Sequence, residues 1–493
     1  MTECKADCDC CSCSNEQVFR KTKIVATLGP ASSSEEMIEK LIKAGVNVFR
    51  QNFSHGSYEE HGALLERVRN VSERLKVPVA VLQDLSGPKI RITELDGEEF
   101  PELKNGHKIQ IKHSKTEKSS VDTLYVGVFD PSLVLQKTNR VLLADGIIEL
   151  EVVDVVDGVV SCVVTRGGKL RSRVGIIFPD NVIPLPATTE KDIEDLKWGL
   201  ERNFDYVALS FVQTPEDVKR IKDYIKSKNS KLKVISKIEC KTSLKKIDEI
   251  LEVTDGIMVA RGDLGVEIPM ERLPVVQKEL IAKANILGKP VIVATQMLHS
   301  MVTNIRPTRA EVTDVANAIF DGADAVMLSE ETAIGNNPEE AVGYLRKVAL
   351  EIEPYLSEEG YLEKIENEER EAVQDSIAYA ACAAADKVQA KALIVSSDTG
   401  RTTRLIAKYR PAQTLFGVTA TKLTLRQMCL LFGVQPVFID TLEEGSPVPL
   451  KVAVDRVREI LKPEVGDIAV CTRAINVEGS DDRRSTAVQI IPF

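Results

Sequence analysis

Short, mostly apolar runs recur eight times along this chain, most often with a helix-like pattern after them. They are Lys23–Thr27, Val46–Arg50, Val79–Gln83, Tyr206–Phe211, Val234–Ile238, Ile257–Ala260, Val291–Thr295 and Ala325–Ser329. Continuous apolar stretches, often β-branched and without polar alternation, are what a parallel strand buried on both faces requires. Helical periodicity marks Ser34–Ala44, Tyr58–Leu75, Glu190–Arg202, Thr214–Ser227 and Thr308–Asp321. Start signals stand at Ser33/Ser34 and at Thr214-Pro215-Glu216. Eight β/α units predict an α/β protein built on a closed (β/α)8 barrel.

The alternation breaks once. Between Asp84 and Pro186 the runs His107–Lys112, Leu124–Val128, Arg140–Leu143, Ile147–Val156 and Val159–Thr165 are split by Asp-Gly and Gly-Gly turns. This predicts a small β-barrel lid inserted after the third barrel strand, with a hinge at Pro179 to Pro186. Past residue 355 an acidic helical connector, Glu363–Glu371, leads to an Ala-rich helix (Asp375–Lys387), a strand (Ala392–Ser396) and the turn SSDTGRTTR. The expected units are a Cys-rich tail over 1–17, a barrel over 18–85 and 187–355, the lid over 86–186, and an open α/β regulatory unit over 356–493.

A net charge of −10 argues against a nucleic-acid partner. No apolar run approaches the ~20 residues of a membrane span, and the polar, acidic N-terminus does not read as a secretory signal, so a cytoplasmic protein is expected. Five of the ten cysteines crowd the first residues: Cys4, Cys8, Cys10, Cys11 and Cys13. The rest are scattered in apolar stretches, as buried reduced thiols would be. The tail offers soft-metal or redox chemistry, or is simply a polar extension; CxCCxC without histidine does not match a structural zinc site.

Reacting groups in such a barrel sit at the C-terminal ends of its strands. In ISKIE (235–239), strand alternation sends Lys237 and Glu239 to the same side. RGDLG (261–265) adds Asp263 in a glycine-flanked turn with free N–H donors. Two carboxylates beside a lysine suit a divalent metal with a phosphorylated ligand next to it. The other ends bring Arg50-Gln51-Asn52-Phe53-Ser54-His55, then Asp84 with Lys89 and Arg91, then Thr295-Gln296, then Ser329-Glu330-Glu331-Thr332. Singly, each has a plain structural explanation: a surface ion pair, a turn, a cap. Their joint placement at successive strand ends is what points to phosphate chemistry.

These blocks resemble the pyruvate kinase family: TKIVATLGPAS (22–32), FRQNFSHG (49–56), LSGPKIR (85–91), ISKIE, RGDLGVE (261–267), ATQML (294–298), the long run 307–335 and KYRP (408–411). The resemblance implies phosphoryl transfer from phosphoenolpyruvate to ADP, giving pyruvate and ATP in the last step of glycolysis. It implies Mg²⁺ (or Mn²⁺) on Glu239 and Asp263, and Lys237 stabilising the phosphoryl group in flight. Gly262 and Asp263 would take the substrate carboxylate through backbone N–H groups, and Arg50 the phosphate. Asn52, His55 and Arg91 would lie on the nucleotide side. Thr295, backed by Ser329 and Glu331, would lie where the enolate is protonated. Asp145 stands where the family has an acidic lid residue facing the site. A homotetramer is implied as well.

Several positions depart from the family pattern. Lys89 replaces the glutamate of potassium-dependent members, next to a monovalent-cation locus formed by Asn52, Ser54, Asp84 and the carbonyl of Leu85. The expectation is that its ammonium occupies that charge position and that potassium is not required. Gln51 replaces leucine, Val174 replaces a nucleotide-side lysine that Arg173 would have to supplement, and Glu330 replaces glycine. Ser396, Ser397, Thr399, Gly400 and Thr402 form a candidate cradle for a phosphorylated effector, with Arg483 and Arg484 as its possible second half or a solvated cluster. The competing expectations are a mutase- or aldolase-like barrel, and a non-catalytic or metal-responsive scaffold working through the Cys-rich tail.

Overall fold

The structure is a computed structural model that describes residues 19–97, 101–181, 185–356, 373–476 and 484–493. The cysteine cluster of the tail, the connector Glu363–Glu371, Arg483 and the Arg484 side chain lie outside the described residues.

Eight strands, Lys23–Thr27, Val48–Asn52, Ala80–Asp84, Tyr206–Leu209, Lys233–Ile238, Gly256–Ala260, Val291–Ala294 and Ala325–Leu328, close into one parallel barrel. Strand one pairs with strand eight, Lys23 opposite Ala325, and strand three with strand four, Tyr206 opposite Leu82. Strand alternation divides their side chains. Ala80, Leu82, Tyr206, Ala208, Ala325 and Met327 fill the barrel interior, while Ile24, Phe49, Val81 and Val207 face the surrounding helices.

The helices begin where hydroxyl side chains meet the first free N–H groups. Ser34 accepts from Met37 N at 3.2 Å, and Ser57 and Thr308 form reciprocal caps with Glu60 and Glu311. Several strand ends lie one or two residues from the sequence expectation, strand two for example at Val48–Asn52 rather than Val46–Arg50, and at two of them the physical reason is plain. Strand four stops at Leu209 and strand seven at Ala294, because Phe211 (φ 52°) and Thr295 (φ 73°) take left-handed backbone that no strand continues through. RGDLG is likewise no turn: Arg261–Glu267 is a short helix that starts directly from strand six.

The insertion between strands three and four is a six-stranded sheet, including Arg140–Leu143, Ile148–Val156 and Val159–Arg166, with its own core around Ile111, Leu124, Val141 and Leu150. Val174 packs against that core with its uncharged side chain, so it supplies no cation to the cleft. Arg173 stays exposed, 3.7 Å from Glu94. The C-terminal unit is a five-stranded sheet in the order Val434–Phe438, Thr414–Thr419, Ala392–Ser396, Ile468–Asn476, Arg484–Pro492, with only the last strand antiparallel.

This C-terminal unit finishes the barrel. Cys429 and Leu430 join the interior cluster and close its floor. Around them Arg426 Nε pairs with the buried Asp205 at 2.6 Å, Arg69 pairs with the same carboxylate at 2.8 Å, and the Tyr206 hydroxyl donates to the Gln427 carbonyl. The mouth at the opposite, C-terminal end of the strands is left for chemistry.

Candidate active site

Asp84, at the end of strand three, is the electrostatic centre of the mouth. Its carboxylate meets Arg50 Nε at 2.6 Å and Lys237 Nζ at 3.3 Å. Arg50 also donates to the Thr27 hydroxyl at 3.1 Å, and Lys237 reaches Glu239 at 2.9 Å and the Ser210 hydroxyl at 2.8 Å. Strands one to five thus contribute to one network. Burial alone would lower the Lys237 pKa, but Asp84 and Glu239 outweigh it and push it up to about 12. The ammonium therefore stays charged at any working pH. Burial alone would raise Asp84, yet Lys237 and Arg50 hold it below the ordinary carboxylate range. Glu239 goes the other way: burial and the nearby Asp263 raise it, against Lys237 and the Phe211 N–H, which donates at 2.7 Å. A buried carboxylate whose proton affinity is raised by a neighbouring carboxylate is ready to take a cation.

Thr295 sits in left-handed backbone, which is disfavoured for a β-branched residue and persists only where neighbours enforce it. Arg261 does so, donating to the Thr295 carbonyl at 2.8 Å while anchored on Asp314 at 2.7 Å. The Thr295 hydroxyl is thereby aimed at the first turn of the helix 261–267, where it accepts from Gly262 N at 2.8 Å. Behind it, buried Glu331 accepts from Leu298 N at 3.2 Å and from Ser329 N at 2.7 Å, so one carboxylate ties the loops after strands seven and eight together. Glu330 is exposed at the cleft and lies 3.7 Å from His299.

On the other side of the mouth, Phe53 N donates to the Asp84 carbonyl at 2.9 Å and Asn52 Oδ1 accepts from Ser54 N at 3.1 Å. The Leu85 carbonyl accepts from Ser210 at 2.7 Å. Asn52, Ser54, Asp84 and Leu85 are thus brought together. Lys89 is not among them. Its ammonium lies 3.7 Å from Asp145 of the inserted unit and 3.9 Å from Asp263 of the barrel. The expected placement of Lys89 fails because Asp84 already has two cations, whereas Asp145 and Asp263 face each other across the cleft. His55 is exposed, its carbonyl taking the His61 ring at 2.9 Å, and Arg91 donates to the Arg173 carbonyl at 3.1 Å. Gln51 is buried with its amide against His61 and Leu65 N. A cleft of about 1070 Å³ separates Arg140, Asp145 and Arg166 of the inserted unit from Gly262, Asp263 and Thr295 of the barrel.

In the C-terminal loop, Gly400 (φ 73°) precedes the helix Arg401–Lys408. The Ser397 hydroxyl accepts from Gly400 N at 3.0 Å and Ser396 donates to the Val448 carbonyl at 2.9 Å, while Thr399 is exposed. Four participants escaped sequence reading: Thr27, Ser210, Arg261 and Asp314. Thr27 and Ser210 stand at strand ends and were within reach of the strand-end rule. Arg261 and Asp314 act only through a partner distant in sequence.

Comparison with known proteins gives the same reading of most of the chain. The family model described as pyruvate kinase, barrel domain, matches residues 19–342, and that described as pyruvate kinase, alpha/beta domain, matches 375–483. Pyruvate kinases of two Staphylococcus aureus strains are each 42% identical over 462 residues, covering 93% of this chain and 78% of theirs. The crystal structure of a pyruvate kinase from Cryptosporidium parvum superposes with a TM-score of 0.90 at 35% identity, covering 96% of each chain. Neither a mutase-like barrel nor a scaffold is favoured by these likenesses. With barrel, inserted sheet and C-terminal unit matched in one order, the chain belongs to the pyruvate kinase family of phosphotransferases.

Proposed function

We propose that the cleft transfers the phosphoryl group of phosphoenolpyruvate to ADP, with Lys237 as the cation that meets the phosphoryl group in flight. The observation that carries this is the buried network of Lys237 with Asp84, Glu239 and Ser210, which keeps one ammonium charged and immobile at the barrel mouth. Phosphoryl transfer asks for positioned charge more than for covalent chemistry. Arg50, locked by Asp84 and Thr27, binds the substrate phosphate. The N–H groups of Gly262 and Asp263 take the substrate carboxylate, Gly262 by exchanging its bond to the Thr295 hydroxyl. Thr295 is positioned for the proton that the enolate gains, with Ser329 and Glu331 holding its surroundings. Asn52, His55 and Arg91 border the nucleotide, and the inserted sheet acts as a closing lid.

Glu239 and Asp263 suit Mg²⁺ (or Mn²⁺), which when bound neutralises charge shared by substrate phosphate and enolate oxygen. Among the described residues no three His, Cys, Asp or Glu gather into a cage. Two carboxylates with room for substrate and water fit Mg²⁺, which keeps several such ligands. Potassium is not required, since Asp84, the one carboxylate of that locus, is already paired with Arg50 and Lys237. The loop Ser396, Ser397, Thr399, Gly400 and Thr402 takes a phosphorylated effector. The protein works as a homotetramer in the cytoplasm, in keeping with the exposed Ile305, Phe320 and Ile334 and with five free thiols among the described residues.

The test is pyruvate formation from phosphoenolpyruvate and ADP with Mg²⁺, with potassium or tetramethylammonium, for the wild type and Lys237→Met. Turnover without potassium that collapses in Lys237→Met is expected. Turnover that appears only with potassium discards the Asp84 argument, and an active Lys237→Met discards the assignment of Lys237.

A further inference from the structure

The turn that carries Asp145 is unusual. Ala144 (φ 52°), Asp145 (φ 53°) and Gly146 (φ 85°) are three successive left-handed residues, two of them bearing side chains. Such backbone relaxes unless neighbours hold it. The barrel supplies one constraint: a Cβ at Gly146 would lie a tight 3.3 Å from the Val266 methyl, so the turn sits close against the helix 261–267. The other constraint is Arg166, on the neighbouring strand. Its Nη2 donates to the Gly146 carbonyl at 2.6 Å, its Nε to the Ile147 carbonyl at 3.1 Å, and Glu149 flanks it at 3.2 Å. A planar fork with fixed donors suits two adjacent carbonyls in a way a lysine does not.

We propose that Arg166 is the positioning residue of the lid: it clamps the turn 144–147 and so aims Asp145 into the cleft. Asp145 flanks the Lys89 ammonium at 3.7 Å, and that ammonium lies 3.9 Å from Asp263 of the barrel. The groups assigned to phosphoenolpyruvate, Arg50, Lys237 and Thr295, all belong to the barrel. The nucleotide side is bounded by the lid, where Arg91 is bonded to Arg173. Loosening the turn therefore weakens ADP more than it slows the transfer. This rests on the cleft being the reaction site.

The experiment uses the full-length protein as wild type, Arg166→Gln, Arg166→Lys and Lys237→Met. Amide hydrogen exchange is measured over 144–149, where Ala144, Gly146 and Ile147 donate backbone hydrogen bonds, together with KM and kcat for ADP at saturating phosphoenolpyruvate and Mg²⁺. In Arg166→Gln the turn should exchange about tenfold faster and KM for ADP should rise about tenfold, with kcat within about threefold, as for one lost charge-assisted contact. Arg166→Lys should fall between, and it carries the same two readouts if Arg166→Gln does not fold. Unchanged exchange overturns the clamp. Faster exchange with unchanged KM overturns the positioning role. A fully active Lys237→Met shows instead that the cleft reading itself has failed.

Discussion

Replacing Asp84 by asparagine keeps the shape of the side chain and removes its charge. Asp84 is 1% exposed and sits between Arg50 Nε at 2.6 Å and Lys237 Nζ at 3.3 Å. Without it two buried cations face one another, and only Lys237 retains a carboxylate, Glu239. Breaking a buried ion pair from one side costs about 3–5 kcal/mol. Because Lys237 keeps Glu239 and Ser210 and Arg50 keeps Thr27, the lower end applies, about 3 kcal/mol. The single tryptophan makes the barrel's share measurable. Trp198 stacks on Tyr58 at 5.2 Å and lies 5.7 Å from Phe53, so its fluorescence follows the barrel and not the inserted or C-terminal sheets. That separation is needed because a chain of several units need not unfold in one step. In urea, with a slope of about 3 kcal/mol per M, the Trp198 midpoint of Asp84→Asn should fall by about 1 M. The Lys237 pKa should drop below its present value of about 12, since one of the two carboxylates that raise it is gone. Displacing Arg50 by about an ångström should lower kcat/KM for phosphoenolpyruvate on the order of 100-fold. A midpoint within about 0.3 M of wild type, equivalent to less than about 1 kcal/mol, would refute the reasoning, because the two cations would then not depend on this carboxylate.

Two further outcomes follow from the barrel floor. Leu430→Ala leaves a void among interior side chains and should cost about 2–5 kcal/mol by the same Trp198 measurement; a loss below about 1 kcal/mol would mean the floor collapses to fill it. Lys23, 2% exposed with its ammonium on the Val434 carbonyl, has its pKa lowered to about 8, first by burial and then by Arg20. The unfolded chain takes up this proton below roughly 10.4, so between about pH 8 and 10 it binds more protons than the folded one and wild-type stability rises with pH. Relative to Lys23→Met the slope should be larger by up to about 1.4 kcal/mol per pH unit in that window; parallel curves for the two proteins would show that Lys23 titrates normally in the fold.

The local signals were legible because they belong to the backbone itself. Strand one spans Lys23–Thr27 as the apolar run indicated, Tyr58–Leu75 is a helix over its full predicted length, and Ser34 and Thr214 stand as N-caps. The two-residue period of a strand was enough to put Lys237 and Glu239 in one space, and they meet at 2.9 Å. Errors of one or two residues arose at strand ends, where a left-handed residue such as Phe211 or Thr295 ends the run without any change in hydrophobicity.

What the sequence by itself determined was therefore the succession of barrel strands, the closed barrel they imply, and some of the side chains at its mouth. Only the tertiary structure decided how those side chains are shared out. Lys89 was expected at the monovalent-cation locus and instead bridges Asp145 and Asp263, because Arg50 and Lys237 had already taken Asp84. Ser210 became a partner of Lys237, Arg261 the clamp on Thr295, and Cys429 and Leu430 the barrel floor. Periodicity and capping act over a few residues, so a linear sequence contains them. Ion pairing is a competition among groups tens to hundreds of residues apart, and its outcome exists only once the fold has set their distances.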